Sequence, residues 1–158
     1  MNEYLPPSEY LPHAEPMMLL DEVVNVTEND VHCQVSVHLG GVLGPFLDAQ
    51  GNLPGWFALE LMAQTVGVWS GWHRRQAGLH EISLGMVLGA RELTCAAGHL
   101  PGNATLNVQA RLLMQDERFG SFDCTITVGE EGLASGRVNT FQPTSEELTS
   151  LFNQGETA

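Results

Sequence analysis

The sequence contains no lysine, and its six basic residues, all arginine, begin only at Arg74. With a formal net charge of −13, the chain has too little positive charge to release phosphate counterions, which excludes non-specific nucleic-acid binding. The acidity reads as a solubility device. Cysteine is scarce as well: Cys33, Cys95 and Cys124 are an odd number at wide spacing with no CxxC pair, so no disulfide framework is expected. No basic-then-apolar stretch opens the chain, and a reducing cytoplasm is the expected location. Histidine is missing between His38 and His73. No two histidines have metal-ligand spacing with a third partner in view, so neither a metal nor a cofactor is expected. A nucleophile elbow is missing too, because Ser70 lies in VWSGW rather than in a G-x-S-x-G turn.

What is present centres on residues 51–73, GNLPGWFALELMAQTVGVWSGWH. Asn52 can cap a helix, Pro54 suits its first turn, and apolar side chains then fall on every face of about six turns. Such a helix is expected to be buried on nearly all sides. Glu60 is its only acid, with Gln64 one turn later on the same face. A carboxylate among Trp, Phe, Leu and Met is costly unless protonated, paired or used. The two polar residues also interrupt the apolar run before it reaches membrane-spanning length.

The 158 residues read as one domain. Residues 1–11, with Pro6 and Pro7, are expected to be loosely ordered or to lie along the surface. Two strands follow, over 21–26 and 31–39, the second placing Val31, Cys33, Val35 and Val37 on one face. A Gly-rich loop over 40–53 feeds the helix, assigned to 51–76 together with the end of that loop. Four more strands are expected over 82–93, 105–114, 122–128 and 133–141, and a short helix over 144–152. One apolar helix and six mostly antiparallel strands predict an α+β domain with the sheet curved around the helix.

Two motifs add a resemblance: Leu11-Pro12-His13-x-x-Pro16 with Asp21 beyond it, and Pro54-Gly55-x4-Glu60-x-Met62-Ala63-Gln64. With this strand order, the chain resembles the hot dog fold β-hydroxyacyl-[acyl carrier protein] dehydratases, and most closely the dehydratase-like proteins of aryl polyene pigment clusters. The resemblance implies elimination of water from a carrier-bound 3-hydroxyacyl thioester, in fatty acid or polyene-type biosynthesis. Glu60 would be the catalytic acid. The helix N-terminus from Leu53 to Trp56 would offer backbone N–H groups to the thioester oxygen, with Pro54, Gly55 and Trp56 as substrate-binding residues. Gln64 would orient Glu60 or a water, or be hydrogen-bonded within a dimer contact. Arg74, Arg75 and Arg91 are the candidates for docking an acidic acyl carrier protein.

The same resemblance exposes a departure. Related dehydratases carry Gly-His-Phe in the loop before the helix, that His being the general base; here the stretch reads Gly44-Pro45-Phe46. His13 is the available substitute, with a structural role as its alternative. The family pairs two such domains side by side, which leaves two assemblies open: a homodimer, or a heteromer whose other subunit brings the histidine. An acyl thioesterase and a catalytically silent partner subunit are the competing functions.

Overall fold

A computed structural model of the chain describes residues 4–10, 18–78, 86–116 and 118–141. Among these residues, eight strands and one α-helix follow one another as β1 (Glu22–Val26), β2 (Asp30–Val37), β3 (Leu53–Pro54), α1 (Phe57–Gln76), β4 (Met86–Cys95), β5 (His99–Leu100), β6 (Ala104–Gln115), β7 (Phe119–Val128) and β8 (Glu131–Phe141). Six of them form an antiparallel sheet in the order β1-β2-β6-β7-β8-β4, and β3 pairs with β5 as a separate two-residue ribbon.

Period-two patterning sets the inner face of the sheet. In β2, Val31, Cys33, Val35 and Val37 are buried while the residues between them are not; Leu106, Val108 and Ala110 continue that face in β6, and Phe122, Cys124 and Ile126 in β7. Laid flat, six strands would span about 24 Å, whereas a helix with its side chains is about 10 Å wide. Yet α1 touches all six. The sheet must therefore curve around the helix, as the strand pattern predicts.

The helix buries Ala58, Leu61, Met62, Gln64, Thr65, Val66, Val68, Trp69 and Gly71, a face that contains the i, i+3, i+4, i+7 stripe and extends beyond it on both sides. Glu60, Ala63, Gly67, Ser70 and Arg74 lie on another stripe and are only half-buried. Burial on nearly all sides is thus not reached within one chain. Among the described residues no helix is long and apolar enough to cross a membrane.

The N-terminal stretch is better anchored than its polar composition suggests. Residues Pro7–Glu9 form a 3-10 turn, Tyr10 is buried, and the Tyr4 hydroxyl donates to Asn25 Oδ1 at 2.9 Å while accepting from Val26 N–H at 3.2 Å. Tyr10 reaches α1 where Gly71 leaves room, and a Cβ there would overlap the Tyr10 carbonyl oxygen. The expected helix over 144–152 lies outside the described residues.

Burial decides the cysteine chemistry. Desolvation pushes the Cys33 thiol from its ordinary 9.0 up to about 12, against a lowering hydrogen bond with Thr65. Burial, reinforced by the Asp123 charge, does the same for Cys124. Only Cys95 is partly exposed. A thiol reagent should therefore modify Cys95 in the native protein and reach the other two only on unfolding, which counting labelled thiols with and without denaturant would check. Because the folded state holds both protons more tightly, this contribution to stability is complete below about pH 9 and is lost as the pH rises toward 12.

Candidate active site

The helix start differs from the expectation of an Asn52 cap and a Pro54 first turn. Asn52 Oδ1 instead accepts from Gly102 N–H at 2.8 Å, and Leu53 and Pro54 pair with Leu100 and His99. Proline is tolerated in so short a ribbon, where a donor is not required. Gly55 N–H donates to the Gly98 carbonyl at 3.1 Å, and a Cβ on Gly55 would lie 2.7 Å from that oxygen. Gly55 is thereby required for the close approach of the turn before β5, and its N–H is occupied. Helix α1 begins at Phe57, with Trp56 in the cap position and no side-chain cap. Of the backbone donors expected to face a thioester oxygen, the Trp56 N–H, followed by that of Phe57, has no backbone acceptor among the described residues.

One turn into the helix, Gln64 and Glu60 form a clamp. Leu19 N–H donates to Gln64 Oε1 at 2.9 Å, and Gln64 Nε2 donates to Glu60 Oε1 at 3.2 Å. A backbone N–H can only donate, so the bond from Leu19 fixes which end of the amide faces the carboxylate. Gln64 is 1% exposed, whereas Glu60 is half-buried. The isolation expected of this acid is incomplete in a single chain, and a second surface laid over the Glu60 stripe is what would enclose it. Gln64→Leu should lower the unfolding free energy by about 1–3 kcal/mol, because it strands the buried Leu19 N–H. A urea titration measures this, and turnover should fall in the same variant because Glu60 loses its support.

Aromatic rings frame this turn in a way that motif reading did not anticipate. The Phe46 and Phe57 centroids are 5.1 Å apart and those of Trp56 and Phe57 are 6.1 Å apart. Trp56 is 76% exposed. Through Phe46, the 3-10 turn Gly44–Phe46 rests against Phe57, the first residue of α1, and Pro45 within that turn is exposed. The signal available in the sequence was the clustering of Phe46, Trp56 and Phe57 around two glycines and two prolines.

The remaining candidates are not brought together. His13 lies outside the described residues; of its segment, the structure gives the Leu19 contact to Gln64. Arg75 pairs with Glu9 at 3.4 Å and lies over the Tyr10 ring. The end of the helix beside it is tied to the β1–β2 turn, where Trp69 Nε1 donates to the Glu28 carbonyl and His73 Nε2 contacts that of Thr27. Arg91 is on β4, at the opposite edge of the sheet. Arg74 and Arg75 are thus carried by the end of α1 and Arg91 by β4.

Comparison with known proteins gives the family. A family model described as ApeP dehydratase, ApeP-like, matches residues 5–153. A chain of the dehydratase heterocomplex ApeI:P from Xenorhabdus doucetiae is 51% identical and superposes with a TM-score of 0.90, covering 96% of this chain and 99% of that one. The 3-hydroxyacyl-[acyl-carrier-protein] dehydratase FabZ of Acinetobacter baylyi is 32% identical over 122 residues, 76% of this chain and 80% of the relative. A hypothetical thioesterase from Streptococcus pneumoniae with coenzyme A has a TM-score of 0.59 at 16% identity, covering 77% and 84% of the two chains, a likeness of fold alone. With the family match running through nearly the whole sequence and a half-identical structure laid over almost all of it, the chain belongs to the ApeP-like dehydratase family.

Proposed function

We propose that this chain is the acid-bearing subunit of a two-subunit (3R)-hydroxyacyl-[acyl carrier protein] dehydratase, with Glu60 as its acid and a histidine of the other subunit as its base. The observation that carries the reading is a carboxyl clamped by Gln64 on the first turns of the central helix, in a chain whose Gly44-Pro45-Phe46 loop carries no histidine. The FabZ relative acts on carrier-bound 3-hydroxyacyl groups, and the ApeI:P relative is a heterocomplex of dehydratase subunits.

In the reaction, the base takes the proton α to the thioester carbonyl, and the negative charge developing on the carbonyl oxygen faces the N–H groups of Trp56 and Phe57. Glu60 gives its proton to the β-hydroxyl as the carbon–oxygen bond breaks, so that water leaves and an enoyl thioester remains. The carboxylate then regains a proton as the imidazolium loses one, which restores both groups. The exposed Trp56 and its aromatic neighbours would contact the acyl thioester, and Arg74 and Arg75 are the cations offered to an acidic carrier.

The test supplies a 3-hydroxyacyl carrier thioester to the purified chain, to a hot dog subunit carrying Gly-His-Phe, and to the two co-expressed, following enoyl product and free thiol. The mixture should exceed the chain alone by about 100-fold or more, the usual worth of a general base. Equal rates for the chain alone would move the base to His13. In that case His13→Ala should remove the rate without lowering the melting temperature. Thiol release without enoyl product would overturn the dehydratase reading in favour of hydrolysis.

A further inference from the structure

The helix that carries Glu60 starts from a ribbon that the main sheet does not include, since β3 and β5 pair only with each other. What moors the ribbon is a short chain of hydrogen bonds. Asn103 N–H donates to the Val37 carbonyl, at the end of β2, at 2.7 Å. Beside it, Gly102 N–H donates to Asn52 Oδ1 at 2.8 Å, and a Cβ on Gly102 would overlap the Gly51 carbonyl oxygen. A backbone N–H can only donate, so this bond also assigns the amide oxygen of Asn52. Asn52 thereby ties the residue before Leu53 to a loop that is itself fixed on β2.

Asp48 in turn holds the backbone of Asn52. Its Oδ1 accepts from Gln50 N–H at 2.9 Å and from Asn52 N–H at 3.0 Å, and its own N–H donates to the Asn52 carbonyl at 2.8 Å. Residues 48–52 are thus a closed loop from which the Asn52 amide reaches Gly102. On the far side of the ribbon, the N–H groups of residues 55–58 open the helix. The outer two are occupied, Gly55 N–H by the Gly98 carbonyl at 3.1 Å and Ala58 N–H by the Gly55 carbonyl at 3.0 Å. Those of Trp56 and Phe57 lie between them without a backbone acceptor among the described residues, and Glu60 follows in the first turn. The aim of these donors and of the acid is set by where the ribbon ends, and a misplacement of about 1 Å in such groups can cost about 100-fold in rate.

We propose that Asn52 is a positioning residue for the dehydration: through Gly102 it fixes the ribbon, and with it the first turn of α1, so that Glu60 and the Trp56 and Phe57 N–H groups keep their geometry while charge develops on the substrate. The inference rests on the dehydratase reading above and gives a role to a residue outside the Glu60–Gln64 clamp. The two devices hold the acid from opposite ends. Gln64 steadies the carboxyl from within the helix, and Asn52 steadies the helix start from the side of the sheet. Asn52 acts through backbone atoms, so what it needs at its side-chain end is an acceptor oxygen of the right reach. Aspartate supplies one and alanine does not.

The experiment compares wild type, Asn52→Asp and Asn52→Ala in two measurements. In the purified chain, amide hydrogen exchange followed by NMR reads the Gly55 N–H, whose bond to Gly98 reports whether the ribbon is held. In the dehydratase assembled with the histidine-bearing subunit, kcat and KM for a 3-hydroxyacyl carrier thioester are scaled to folded protein. Asn52→Ala should speed Gly55 exchange by about tenfold. It should lower kcat by about tenfold with KM within about twofold of wild type, the pattern of an interaction realised in the transition state. Asn52→Asp should stay within about threefold of wild type in both measurements. If Asn52→Ala does not fold, Asp48→Ala, which loosens the same loop from an exposed position, is read in its place. The proposal is overturned if kcat of the alanine variant stays within about twofold of wild type, if Asn52→Asp falls as far as Asn52→Ala, or if the loss falls on KM alone. Faster exchange with unchanged kcat makes Asn52 a structural clasp and leaves the dehydratase reading standing. A wild-type assembly that forms no enoyl product removes that reading and the proposal with it.

Discussion

Glu60→Gln should leave the protein folded and lower kcat of the assembled dehydratase by at least about 100-fold, the scale of a lost general acid. The amide fills the same space, and its oxygen still accepts from Gln64 Nε2, which lies 3.2 Å from Glu60 Oε1. What it lacks is a proton acidic enough to follow the departing hydroxyl. Because Glu60 is half-buried rather than enclosed in the single chain, the substitution should shift stability by no more than about 0.5 kcal/mol. Turnover and melting temperature measured on one preparation separate the two effects. Retention of more than about a tenth of the wild-type rate, a loss of under about 1.4 kcal/mol in barrier, would remove Glu60 from the chemistry.

Trp69→Ala should give the largest loss of stability, about 4 kcal/mol, with a melting temperature lower by about 10 °C. The side chain is buried, packs edge-on against Phe122 at 5.3 Å, and lies 4.4 Å from the His73 ring. Its Nε1–H also donates to the Glu28 carbonyl at 3.1 Å. One residue thus joins α1 to the sheet and to the β1–β2 turn. Trp69→Phe distinguishes the contributions: it keeps most of the ring contact and gives up the hydrogen bond, so it should cost about 1–2 kcal/mol. If both variants melt alike, the hydrogen bond rather than the ring volume holds the helix end.

The strands were legible because their signal is local. Val31, Cys33, Val35 and Val37 alternate without interruption, and the turns around Glu28 and Gly129 carry the residues that turns require. The curvature followed from a count, since one apolar helix needs all six strands to cover it. The helix start was misread for the opposite reason: Asn52 and Pro54 have the local chemistry of a helix N-terminus, but the ribbon with His99 and Leu100 captures them, and nothing near them in sequence announces those partners. Glu60 and Gln64 could be singled out as the polar pair of an apolar helix. The third member of their clamp is the backbone of Leu19, 45 residues from Gln64, and main-chain donors leave no trace in side-chain patterns. The arginines show the same limit, for Arg74, Arg75 and Arg91 are alike as letters and only the strand order sets the third at the far edge.

The two edges of the sheet differ in what they could accept. On one side the Val26 N–H is taken by Tyr4, and on the other, among the described residues, β4 has no neighbouring strand beyond it. Were two such sheets to join along β4, the protected β1 of this chain would not admit a third. A sheet open at both ends would accept a third and a fourth and grow into a ribbon. The tyrosine four residues into this chain is, in that sense, a chain terminator, and disrupting it would change how many molecules can join before it changed how any one of them folds.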